Sequence, residues 1–324
     1  MGYLDTTYTS GVIAVREKYL LNDKIFRFCE LTAEEAFRLL LDSGFGGGAE
    51  TTGSVFEYEK LIAVEEKRLD EFIREFSPSK TEREFLLAPR DFHNAKALIK
   101  SAYLNEDPSG MLMEEGNVTL DALKACVQSG DFSSLSQPLL SKACTQAIEQ
   151  LQSEPSGAKV GVIFEKALYE HLRLTVKNRR VLKELLYAKA DMTNILISLR
   201  CGDEELSKEK YLHCGKLKTE KYSALFTADS GAVKEAYKDT PYLPFVTLCL
   251  NARERGLPFT QAERLLGGYD ATYFAQKKYE LKKNEPFLYY VYRRQVEIAN
   301  VRIVFACLLA GLNEQDIKRR LRAM

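Results

Sequence analysis

Three observations predict an all-α protein. Gly and Pro are sparse, 19 and 9 in 324 residues. Alternation of apolar and polar residues at period two is scarce. One helical phrase also recurs at long period. It reads acid-x-x-Asn followed by an apolar helix: Asp91-Phe92-His93-Asn94 into Ala95–Ile99, Asp191-Met192-Thr193-Asn194 into Ile195–Leu199, and Glu297-Ile298-Ala299-Asn300 into Val301–Phe305. Asn94 and Asn194 are 100 residues apart, and Asn194 and Asn300 are 106 apart. One structural unit used three times gives such a period, so the sequence predicts three pseudo-symmetric helical domains around a shared axis, the geometry of a collar or socket.

The elements follow in order. Glu59–Phe76 carries a polar face and reads as a helix. Pro78 breaks it, and a second helix starts at Thr81 and meets Pro89. The prolines are expected in the first turn of a new helix, where a missing N–H costs nothing. Gly116 then marks a helix end, a short extended piece and a new helix. Gly161–Arg200 has no internal Gly or Pro and keeps apolar residues at helical spacing. A single helix there would extend about 60 Å at ~1.5 Å per residue, so a bend is expected near Lys177–Arg180. Gly215, 99 residues after Gly116, repeats the glycine turn. Ala271–Lys283 leads to Pro286, and a helix resumes over Phe287–Phe305. The third copy ends at Gly311-Leu312 and a basic tail without a glycine turn, because the chain stops. Cuts near 112 and 216 give repeats over residues 1–112, 113–216 and 217–324.

Composition narrows the function classes. Lys+Arg and Asp+Glu both number 46, so nucleic acid is not the expected main partner, since such a binder needs surplus cations to displace counterions. The charge is uneven along the chain: residues 1–60 carry ten acids and six Lys/Arg, and residues 277–324 carry five and eleven. Seven irregularly spaced cysteines and a polar start predict a reduced, cytoplasmic protein with buried free thiols. No apolar run reaches the roughly 20 residues of a membrane span. The longest, Val301–Leu312, is interrupted by Arg302.

Candidate chemistry is thin. Gly44–Gly53 resembles a phosphate loop but lacks the Lys before Ser/Thr and the preceding strand, so a flexible inter-helix loop is expected. Cys201, His213 and Cys214 fit no zinc spacing. His93 and His171 show no partner that would make them bases. No nucleophile-elbow, zinc-protease or dinucleotide motif is present. The aromatic run Phe287–Tyr292 reads as core. No cofactor, metal or catalytic residue is expected. The marks themselves have two readings. Acid and Asn at i and i+3 share one helix face, so Asp91, Asn94, Asp191, Asn194, Glu297 and Asn300 either line a polar cavity that binds a partner, or join each helix to the next and satisfy buried backbone groups.

The run Asp91-Phe92-His93-Asn94-Ala95-Lys96-Ala97-Leu98 looks like an acidic-x-His-Asn-x-Lys helix. With it go Glu285-Pro286-Phe287 through Glu297–Ile303, Gly311-Leu312 and Ile317–Arg322, and the opening Tyr3–Leu21 with Tyr8, Arg16 and Leu20-Leu21. In these the sequence resembles the C/d subunit family of V-type and A-type rotary ATPases, in its compact prokaryotic form. It departs from the family at the glycine run Gly46–Gly48. The resemblance implies an all-helical funnel of three similar domains with no active site, no cofactor and no small-molecule substrate. It implies a peripheral protein on the cytoplasmic face of the membrane, seated on the rotor ring of proteolipid subunits. It would receive the foot of the central shaft, subunits D and F, and carry torque between ATP chemistry and H⁺ or Na⁺ movement. A cytoplasmic helical-repeat adaptor is the alternative, and would need an open array with a concave face and capping repeats. An enzyme with a dispersed site would need perturbed ionisable groups gathered in one pocket.

Overall fold

The structure, a computed structural model, describes residues 6–47, 53–227, 229–277 and 284–322. It is helical, with no strand among the described residues. In chain order the helices are α1 (Thr6–Arg16), α2 (Lys24–Phe28), α3 (Ala33–Asp42), α4 (Tyr58–Phe76), α5 (Lys80–Leu104), α6 (Leu120–Ser129), α7 (Pro138–Ser153), α8 (Gly157–Thr175), α9 (Arg180–Cys201), α10 (Glu204–Lys208), α11 (Thr219–Ser223), α12 (Ser230–Tyr237), α13 (Leu243–Glu254), α14 (Thr260–Gln276), α15 (Glu285–Leu309) and α16 (Glu314–Arg320). A long helix, a short link and a mark-bearing helix recur three times, as α4–α5, α8–α9 and α14–α15. The acid of each mark stands 11, 11 and 12 residues after its helix's first residue.

Local signals account for several boundaries. Thr32 and Glu35 form a reciprocal capping box at the start of α3. Thr119, Ser156, Asp203 and Asn313 cap α6, α8, α10 and α16 through their side chains. The bend expected near Lys177–Arg180 is the link between α8 and α9, with buried Val176 as its pivot. Pro286 lies in the first turn of α15 as the sequence suggested.

Pro89 does not start a helix: α5 runs through it from Lys80 to Leu104. Pro89 forgoes one backbone donor, and burial of Leu86, Leu87 and Ala88 before it and Phe92 and Ala95 after it holds the helix together. Gly116 and Gly215 do not end helices either. Each lies in the extended piece before the next helix, and neither has the left-handed backbone of a helix-ending glycine.

The chain forms two compact units, one of residues 1–83 with 263–324 and the other of residues 84–262. In the first, α15 is the central helix, packed by α1, α2, α3, α4 and α16. Its apolar residues face every direction, as a surrounded helix requires. All of Phe287 to Tyr292 is buried. Phe72 of α4 stacks on Phe287 with ring centres 5.4 Å apart and meets Tyr290 edge-on at 5.0 Å. In the second unit, Phe92, Leu98 and Ile99 of α5 join Leu123, Leu140, Cys144 and Phe164 in one core. The three-repeat division of the sequence has different bounds from these units, because chain beginning and chain end share the first one.

Of the Gly44–Gly53 stretch, residues 48–52 lie outside the described residues, as do Tyr3 and residues 278–283. Gly46 is buried, with φ +66, and a Cβ there would stand 2.6 Å from that of Leu61. The backbone N–H of Gly46 donates to the Glu65 carboxylate at 2.9 Å, so a carboxylate occupies the donor that a phosphate loop would offer its ligand. All seven cysteines are free and six are buried. Burial pushes the thiols of Cys144, Cys214 and Cys249 up to about 12, which keeps them protonated and unreactive at neutral pH.

Candidate functional site

The three marks make one device, built each time from a mid-helix Asn that holds a passing strand of backbone. Asn94 Nδ2 donates to the Met113 carbonyl at 3.2 Å, and Met113 N–H donates back to Asn94 Oδ1 at 2.8 Å. Asn194 does the same with Leu212, at 3.0 and 2.8 Å. Asn300 does it with Arg322, at 3.1 and 2.8 Å. A primary amide suits this work because it offers a donor and an acceptor side by side, matching one residue's C=O and N–H. All three side chains are buried.

The acids bind the next stretch of chain. Asp91 accepts from the backbone N–H groups of Asn117 and Val118, both at 3.0 Å, and from Gln137 Nε2 at 2.8 Å. Asp191 accepts from the N–H groups of Lys216 and Leu217 at 3.0 and 3.1 Å, and from the hydroxyls of Tyr222 and Tyr242 at 2.6 and 2.8 Å. Both acids are fully buried, at 0% exposure. Burial pushes the Asp91 carboxyl above its ordinary value against these donors. Burial and then Asp191 raise the Tyr222 hydroxyl, so it stays a donor.

Gly116 and Gly215 follow from this geometry. A Cβ on either would stand 2.1 Å from the Oδ1 of its acid. The glycine lets the backbone come close enough for the two following N–H groups to reach one carboxylate. Gly215→Ala is therefore expected to displace Asp191 and to cost about 2–4 kcal/mol, from overpacking plus lost hydrogen bonds. Urea titration of the single variant checks this, and an unchanged midpoint contradicts the role given to the close approach.

The third mark is completed differently. The Glu297 carboxylate accepts not from a following glycine turn but from Asn22 N–H, 275 residues away in the sequence, at 3.0 Å. Glu reaches one methylene further than Asp, and Asn22 takes the left-handed φ of 48° at that turn. Arg294, one turn back, donates to Glu297 at 2.9 Å and also to Glu65. Glu65 in turn accepts from Gly46 N–H and from Arg68, both at 2.9 Å. The Arg294 guanidinium lies 5.1 Å from the centre of the Phe45 ring. Burial opposes charge on Glu65, but Arg294 and the other donors outweigh it and hold the carboxyl below its ordinary value. For Glu297, burial prevails over Arg294 and raises the carboxyl. This ionic cluster borders a polar cavity of about 710 Å³ that Arg16, Arg68 and Tyr290 also line.

All six marked residues thus bond to their own chain, and none faces solvent. Sequence reasoning missed Arg294 and Glu65. Their signal was a charge on an otherwise apolar stripe, since Glu65 shares the buried face of α4 with Leu61, Ile62 and Leu69. It also missed Gln137 and Tyr242, which stand at the caps of the proline-started helices α7 and α13. His171 has a partner the sequence did not offer, Glu84 at 2.7 Å, 87 residues away. His93 bonds the Met111 carbonyl.

Among the described residues no three His, Cys, Asp or Glu side chains converge as metal ligands, and no helix is long and apolar enough to cross a membrane. What the site offers chemically is fixation: three amide clamps and three buried acids that lock connecting segments onto long helices. A family model described as ATP synthase (C/AC39) subunit matches residues 9–320. No curated protein matches the chain.

Proposed function

Because the chain belongs to the ATP synthase (C/AC39) subunit family, we propose that it is the non-catalytic central-stalk subunit of a rotary V/A-type ATPase. In this reading it joins the shaft subunits D and F to the proteolipid ring on the cytoplasmic face of the membrane. ATP hydrolysis or synthesis then drives, or is driven by, H⁺ or Na⁺ movement. The observation that carries the proposal is the extent of the family match, which takes in all three marks. Three similar domains set as a funnel around the shaft foot form part of the same proposal.

Clamped connections suit a torque-bearing part. A rotor coupler must pass force without yielding, so its loops cannot be soft. The segments after α5 and α9 are each held at two places, by an amide and by a carboxylate, on helices of 25 and 22 residues, and α15 holds Arg322 by its amide and Asn22 by its carboxylate. Breadth of contact and charge complementarity then fix register on the partners more than they add raw affinity.

The test is recovery of the tagged chain from detergent-solubilised membranes, with its companions identified. The expected companions are shaft subunits and proteolipid ring. Recovery with soluble proteins alone favours the helical-repeat adaptor and refutes the coupler.

A further inference from the structure

We infer that the α8–α9 elbow is a docking hollow for an acidic segment of a protein partner, with Lys177, Lys183 and Lys216 as its reading heads. The inference rests on the proposed place of the chain in a multi-subunit assembly.

The elbow encloses an open hollow of about 500 Å³. Four cations line it, Lys177, Arg180, Lys183 and Lys216, against one carboxylate, Glu184. Arg180 holds that carboxylate at 3.0 Å, with its own side chain 88% exposed. None of the three lysines has a carboxylate partner among the described residues. Lys183 and Lys216 approach one aromatic ring instead, their Nζ atoms 5.6 and 6.0 Å from the centre of Tyr187. Two ammonium groups on one ring repel each other, and an anion between them removes that cost.

Several other cations of the same unit are paired with a carboxylate. Lys208 pairs with Glu204 and Glu205, Arg173 with Glu170, and Lys238 with Glu235. In a chain of zero formal net charge, the hollow carries a local surplus of three positive charges.

The repeat does not require it. Counted from Asn94, the first copy has Ser77, Lys80, Arg83 and Leu87 at the corresponding places, and Asn117 follows Gly116 as Lys216 follows Gly215, so it keeps two cations and loses the ring. Counted from Asn300, Pro286 and Tyr289 stand where Arg180 and Lys183 do. Neither of the other copies has the full set of Lys177, Lys183, Tyr187 and Lys216, so the helical device does not depend on that combination.

The hollow also fixes the kind of occupant. Lys216 is anchored by its own backbone, whose N–H donates to Asp191, while Lys177 sits in the link between the arms and Lys183 on α9. Separate ammonium groups around a concavity fit several carboxylates spaced along a peptide, each met by a point charge. A membrane headgroup layer would need a flat or convex approach.

The experiment uses the full chain and an ATPase complex stripped of its own copy. Tyr187 is exchanged for a benzophenone amino acid, and the cross-linked product is mapped after reassembly. The expected product is a protein segment rich in Asp and Glu. In parallel, K177E/K183E/K216E is expected to weaken reassembly about 100-fold at low salt, and the corresponding Gln triple about tenfold. Both deficits should shrink at about 0.5 M salt, where screening reaches only ~4 Å. Thermal melting of the Gln triple confirms that the fold is intact. Cross-links to lipid, or to a segment without acidic surplus, overturn the inference. So does unaltered reassembly of both variants. Failure of the wild-type chain to rejoin the complex is a separate result, and it overturns the coupler reading together with this one.

Discussion

Replacing Asp91, Asp191 and Glu297 together by Ala is expected to abolish cooperative folding. Each carboxylate is buried and satisfies several donors, two of them backbone N–H groups at Asp91 and at Asp191. Removing it leaves those donors without an acceptor and without water. An unsatisfied buried group costs about 1–3 kcal/mol, and breaking a buried ionic contact at Glu297 costs about 3–5 kcal/mol. Three such losses rival the 5–15 kcal/mol that holds a typical domain. The single variants should each lower the melting temperature, Asp191→Ala most, because Tyr222 and Tyr242 lose their acceptor too. A triple variant that melted like the wild type but bound the shaft less well would assign these residues to the partner interface instead. Unchanged melting with unchanged binding would refute both roles.

Arg294→Met is the second large effect. The guanidinium is buried and holds two buried carboxylates, Glu65 and Glu297. Without it both are left facing an apolar side chain, and the expected loss is about 3–5 kcal/mol at neutral pH. The pH dependence has a definite sign. Glu65 has its folded carboxyl below the ordinary 4.5, so its contribution is complete above that value and is lost as pH falls through the folded pKa. Glu297, raised by burial, works in the opposite direction. Removal of Arg294 takes away the chief cause of the lowering at Glu65. The gap between wild type and variant should therefore be widest at neutral pH and should narrow in acid as the carboxyls take up protons. A gap that widened in acid would contradict the ionic account.

The helices and the marks were legible because they are local. A shortage of Gly and Pro, a Pro286 start, a link near Lys177–Arg180 and acid-x-x-Asn at i and i+3 need only a few residues to be read. What the marks bind was not legible. Asp91 reaches Gln137 across 46 residues, Asp191 reaches Tyr242 across 51, and Glu297 reaches Asn22 across 275. No local pattern encodes such pairings. The same limit explains Pro89: helix propensity argues for a break there, and burial on both sides overrides it. It also explains the third copy, whose missing glycine turn has its place taken by Asn22 from the other end of the chain. The glycines themselves were seen but misread, because a carboxylate approaching at close range leaves no trace in the neighbouring sequence.

The most direct measurement of the central claim is ATP-driven ion uptake by reconstituted vesicles carrying the ATPase complex with and without this chain. The account predicts that the stripped complex still hydrolyses ATP but moves no ions, and that adding the chain back restores transport. Equal ion uptake in its absence would contradict the claim that the chain joins the shaft to the ring.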